Sequence, residues 1–141
     1  MAENDSSTRQ PRHQGGPLGQ THAKIKSIHD LEVYRLSFEA AMDVFHAAKA
    51  FPPEERYSLT DQLRRSSRSV PANIREGFAK RRYKSVFARH LTDAWGSSEE
   101  TRTWLDFAMN CGYLAGAAHA SISRKYDRVC AMLFRLQQQW T

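Results

Sequence analysis

From His29 to Trp140 the apolar residues of this chain recur at intervals of three and four, and no stretch alternates apolar and polar long enough to make a strand. That period leaves helices as the building material, so the fold class is all-α. Leu31, Tyr34, Phe38, Met42 and Phe45 mark a first helix with Asp30 as N-cap, ending near Ala50 because Phe51-Pro52-Pro53 cannot extend it. Ser58 opens a second, with Asp61 completing a variant of the capping box. Its face is Leu59, Leu63, Val70, Ile74 and Phe78, and Pro71 inside it predicts a kink. Ser85 begins a third through Leu91, Ala94, Trp95, Ser98, Leu105 and Met109, and Gly112 and Gly116 punctuate the next turn. The fourth runs from about Ala118 to Gln139 along Ile122, Tyr126, Val129, Leu133 and Leu136, with Trp140 aligned. Four helices with short connections predict an antiparallel up-down-up-down four-helix bundle over residues 29–141.

Residues 1–28 read differently. They hold Pro11, Pro17, Gly15, Gly16 and Gly19 among Ser, Thr, Gln and Asn, and few large apolar side chains. Such a stretch buries too little surface to offset the entropy of ordering it, so a flexible N-terminal tail is expected. It has no apolar core of the secretory type, and no apolar run in the chain nears the roughly 18 residues of a membrane span. Two cysteines, Cys111 and Cys130, make no disulfide framework. A cytoplasmic setting is expected.

The first helix carries a second apolar stripe, Val33, Leu36, Ala40, Val44 and Ala47, roughly opposite the first. In the third, Trp104 and Phe107 stand well off the main stripe. A helix apolar on two sides is usually covered on two sides, which four helices alone do not achieve. Self-association through Val33, Leu36, Val44, Trp104 and Phe107 is the expectation, and a wider intramolecular core is the alternative.

Charge is concentrated as well. The whole chain carries +6, but between Arg64 and Arg89 nine basic residues face the single acid Glu76, a net +8. The tail adds +2, so the rest of the chain is −4. Arg64, Arg65, Arg68, Arg75, Lys80, Arg81, Arg82 and Lys84 form the candidate anion-binding band. Arg64, Arg68 and Arg75 fall within about 40° of one another on a helix, and guanidinium forks at that pitch suit a phosphate backbone. Tyr83 and Phe87 beside the cluster are candidates to stack on unpaired bases. The alternative is a solvated face, partly neutralised by acids such as Glu54, Glu55 and Glu99.

No catalytic constellation is present. His46, His90 and His119 lie on separate helices without a His-x-x-x-His or Glu-x-x-His pair, so no metal site is expected. There is no phosphate-cradling Gly-x-x-x-x-Gly-Lys loop, no Gly-x-Ser-x-Gly, and no cofactor signature.

The stretch from Leu59 to Phe78, with its Val70-Pro71-Ala72-Asn73-Ile74-Arg75-Glu76-Gly77 core, resembles the signature of a bacterial family. These are the four-helix-bundle proteins, or 23S rRNA-intervening-sequence proteins. Phe51 to Leu59 and Ala94-Trp95-Gly96-Ser97-Ser98-Glu99-Glu100 extend the likeness, which covers about residues 29–140. The resemblance implies a four-helix protomer in a homopentameric barrel with no catalytic residues. It also extends distantly to the accessory protein of diversity-generating retroelements, which binds nucleic acid and a reverse transcriptase. Here Ser66-Ser67-Arg68 replaces small apolar residues, and Arg75 stands where Ala is common. Pro71, Asn73 and Gly77 read as architectural, Gly77 as a helix end or bend, and Gly96 as a point of close helix approach. Together these features predict a non-catalytic, self-associating bundle that binds RNA or DNA with little sequence preference. No membrane partner or small-molecule substrate is expected. A scaffold docking an acidic protein or a polymerase is the alternative.

Overall fold

The structure, a computed structural model, describes residues 25–140. Four helices, α1 (Glu32–Ala48), α2 (Leu59–Ala79), α3 (Lys84–Asn110) and α4 (Gly116–Trp140), are joined by short connections, with single 3-10 turns at Ile28–Asp30 and Pro53–Glu55. α1 packs on α2, α2 on α3, α3 on α4, and α4 returns to α1, which closes a helical bundle around one core. Among the described residues there is no strand, and no helix is long and apolar enough to cross a membrane.

The core is built from the stripes the period marks, with one reversal. In α2, Leu63, Val70 and Ile74 are fully buried, as are Leu91, Ala94 and Leu105 of α3 and Tyr126 and Val129 of α4. In α1 the buried side is the second stripe. Val33, Leu36, Ala40 and Val44 lie in the protomer's own core, with Val44 at 0% exposure. Phe38 and Met42 of the first stripe are 51% and 41% exposed. Val33, Leu36 and Val44 are therefore not available as a surface between protomers. The side chains explain the choice: Ser37, Ala40, Val44 and Ala48 are small enough for neighbouring helices to close on them, whereas a phenylalanine stripe would hold those helices apart.

Helix ends depart from the expected caps. Asp30 lies in the turn before α1, where its carboxylate accepts hydrogen bonds from the backbone N–H groups of Lys26 and Ser27. Ser58 does not cap α2. Its hydroxyl donates to Glu55, and the same carboxylate accepts the Leu59 N–H at 3.1 Å, so Glu55 serves the first amide of α2. The folded region also starts before residue 29, because Ile25 and Ile28 are buried against the core. The rest of the predicted tail, residues 1–24, lies outside the described residues.

The α2–α3 seam is close and polar. Ser66 Oγ lies 2.9 Å from Thr101 Oγ1, Ser69 Oγ 2.9 Å from Ser97 Oγ, and Asn73 Oδ1 3.3 Å from His90 Nδ1. Ser66 and Ser67 are buried, and their hydroxyls turn back onto the Leu63 and Arg64 carbonyls. Asn73 Nδ2 donates to the Ser69 carbonyl one turn back. α2 is continuous through the buried Pro71. Gly77 lies inside α2 and ends nothing. A Cβ there would stand 2.6 Å from His90 Cβ, so this glycine lets α3 approach. Gly96 has nothing within 4 Å of its would-be Cβ, and the expected close approach there is absent.

Candidate nucleic-acid interface

The basic band occupies the exposed side of α2 and the connection to α3. Its members differ in what holds them. Arg65 meets Asp61 at 3.8 Å and Lys80 meets Glu76 at 3.0 Å, both one turn apart on α2 and both exposed. Exposed pairs of that kind are weak and leave the cations open to solvent anions. Arg81 donates to the Phe78 carbonyl and covers the Phe78 ring at 4.0 Å. Arg82 stacks loosely on Tyr83. Arg68, Lys84 and Arg89 are exposed and have no ion-pair partner among the described residues.

Two of the three acids named from sequence to neutralise the band are engaged elsewhere. Glu55 serves the start of α2, and Glu99 pairs with Arg102. Glu39 and Asp43 hold Lys125 of α4, an arrangement in which the Asp43 hydrogen bond does most to raise the Lys125 pKa. Among the described residues only Arg65 and Lys80 of the band meet an acid.

Arg64 and Arg75 stand apart from this surface. Arg64 is half-buried with its guanidinium over the Phe45 ring at 5.3 Å, and its Nε is buried without a partner. Arg75 donates to the Tyr34 hydroxyl at 3.3 Å. With Arg68, Arg75 borders an apolar groove of about 420 Å³ between α1 and α2, lined by Tyr34, Phe38, Ala41, Met42, Phe45, Pro71 and Ala72. The helical row of arginines is real, but it edges a greasy cleft. The period alone missed this groove by assigning its residues to the core, although bulky residues at 34, 38, 42 and 45 beside a smaller opposite stripe were a usable signal.

The two aromatic candidates separate. Tyr83 is exposed beside Arg82, whereas Phe87 is fully buried, its ring edge-on to Trp140 at 5.1 Å. Phe87 therefore has no face to offer a base. Trp104 is half-buried against the core, and Phe107 is exposed beside it.

Among the described residues no three of His, Cys, Asp and Glu gather in a way that could hold a metal ion. Burial, then Glu99, pushes the Cys130 thiol up to about 11, so it stays protonated and weakly nucleophilic near neutral pH. Burial likewise raises the Tyr126 phenol.

A family model described as 23S rRNA-intervening sequence protein matches residues 29–135. Among solved structures, the chain is similar to a protein of unknown function from the S23 ribosomal protein family of Bacteroides thetaiotaomicron VPI-5482. The two share 24% identity and a TM-score of 0.68, over 75% of this chain and 98% of that one, a likeness of fold. No curated protein matches.

Proposed function

The chain belongs to the family of 23S rRNA-intervening sequence proteins, and from that premise we propose a non-catalytic, self-associating bundle that binds RNA or DNA through its basic band. The four helices run up-down-up-down, and protomers assemble into a homopentameric barrel that repeats the band around a ring. The observation that carries the binding is that Arg68, Arg82, Lys84 and Arg89 have no ion-pair partner among the described residues. Arg65, Lys80 and Arg81 extend this cationic surface, and exposed Tyr83 offers it a stacking ring. Affinity built on phosphate contacts is steeply salt-dependent and nearly indifferent to sequence.

The test is a gel shift with a mixed-sequence single-stranded RNA across a salt series, on the native protein and an Arg82→Glu, Lys84→Glu variant. The variant should bind more weakly at low salt, with a flatter salt response and unchanged helical circular dichroism. A native protein that retains no RNA near about 50 mM salt ends the reading. The apolar groove beside Arg68 and Arg75 favours a second reading, a scaffold that docks a protein. A protein partner retained after nuclease treatment supports it.

A further inference from the structure

We infer that the corner joining α2 to α3 takes an unpaired stretch of nucleic acid, with Tyr83 stacked on a base and the cations around it on the flanking phosphates. This rests on the nucleic-acid reading above and narrows it to one end of the bundle and to unpaired nucleotides.

The corner is short and stands at an end of the molecule. α2 and α3 meet through Ser66 with Thr101, Ser69 with Ser97 and Asn73 with His90, so numbers rise along one helix as they fall along the other. Residues 80–83 make the turn between them, tied by hydrogen bonds from the Lys80, Arg81 and Tyr83 N–H groups to the Gly77, Phe78 and Lys80 carbonyls. Over residues 75–92 six basic side chains stand against Glu76 alone, and Glu76 already meets Lys80. The last turns of α4 come to the same end, where Gln137 donates to the Ala88 carbonyl at 2.9 Å and Trp140 meets Phe87. They bring the exposed Arg135 with them. At the other end of α2 the balance reverses, with Glu54, Glu55 and Asp61 against Lys49 and Arg56. An anion is thus drawn to one pole of the bundle.

The flank of α2 is a poorer seat for a duplex. Arg64 is half-buried over Phe45, and Arg75 is engaged with the Tyr34 hydroxyl. Arg68 is exposed, but it lies more than three turns from Lys80, about 18 Å along the helix. No row of open cations is left on α2 to follow a groove. At the corner one ring is open. Phe78 and Phe87 are buried and Trp140 is partly buried against the core, whereas Tyr83 is 62% exposed. The Arg82 guanidinium stands 6.0 Å from its ring centre, at the limit of a cation–π contact, so a planar base has a face to meet. A duplex keeps its bases stacked inside and offers this ring only a charged backbone. An unpaired base covers it, and the neighbouring cations hold the phosphates on either side.

The test compares a labelled mixed-sequence RNA strand with the duplex it forms with its complement, at one salt concentration. The native protein should bind the single strand about tenfold more tightly, although the duplex carries twice the phosphates. Tyr83→Ala should remove that margin and leave duplex affinity unchanged, and Tyr83→Phe should keep it. The salt slope should be the same in all three proteins, because a neutral ring releases no counterions. An iodouridine-substituted strand irradiated on the native protein should crosslink at Tyr83, which keeps the test open should the alanine variant misfold. Equal affinity for strand and duplex, a Tyr83→Ala protein that keeps the margin, or a crosslink mapped elsewhere overturns the assignment and leaves nucleic-acid binding standing. A native protein that retains neither RNA ends both.

Discussion

Gly77 and Gly96 look alike in the sequence, each a glycine inside a helix, and their surroundings make them opposites. A methyl group at Gly77 would meet His90 Cβ at 2.6 Å and Phe87 Cδ2 at 3.0 Å, neither of them the far end of a flexible chain. Gly77→Ala should therefore destabilise the fold by about 1–3 kcal/mol, despite the better helix propensity of alanine. Gly96→Ala meets nothing and should stabilise by up to about 1 kcal/mol. Urea unfolding of both variants measures the contrast. Glu55 sets a second residue-scale expectation. Hydrogen bonds from the Ser58 hydroxyl and the Leu59 N–H hold its carboxyl below the usual glutamate value of 4.5. Its ionised form thus favours the folded state above that value, and the contribution drains away as pH falls through the lowered folded pKa. Glu55→Gln should flatten the acid side of the stability profile in thermal melts between about pH 5 and pH 3. Neither effect was legible beforehand. The sequence shows a serine ready to cap α2, and only the folded turn Pro53–Glu55 brings a carboxylate to the first amide of that helix.

At the scale of the element, α1 is where sequence and structure diverge most. Its two apolar stripes are equally periodic, and periodicity reports that a face is apolar without reporting which neighbour covers it. The covered face is the one whose small residues allow close packing, so Val44 is sealed in while Phe38 faces the groove. Val44→Glu should accordingly unfold the protomer rather than dissociate an assembly, since a carboxylate would be buried without a partner. Phe38→Glu, at an exposed position, should keep the helical signal. Circular dichroism at low concentration distinguishes them, and a folded Val44→Glu protein would contradict the buried placement. In α2, by contrast, the apolar face and the boundary near Ser58 match the sequence expectation closely, because one stripe and a flanking Pro-Pro turn leave no second solution. The serines that departed from the family pattern also find their place here. Ser66 reaches Thr101 across the seam, and both Ser66 and Ser67 return hydrogen bonds to their own helix.

For the whole molecule the governing asymmetry is electrostatic: a segment of +8 on a chain of +6. If binding follows that charge, each phosphate contact removed should lower the salt slope by about 0.7 for single-stranded RNA, so the Arg82→Glu, Lys84→Glu variant should lose about 1.4. A slope unchanged by the two reversals would locate the contacts elsewhere. What the sequence by itself determined is everything that acts through neighbours along the chain. The helical period, the breaks at Pro52-Pro53 and Gly112, the excess of arginine in α2 and the Val70-to-Gly77 motif are all of this kind. What only the tertiary structure decided is which surfaces remain uncovered. Burial is a property of pairs of elements far apart in sequence, so it alone could sort Val44 from Phe38 and Gly77 from Gly96. The same sorting sets Arg64 and Arg75 beside an apolar groove and leaves Lys84 and Arg89 in open solvent.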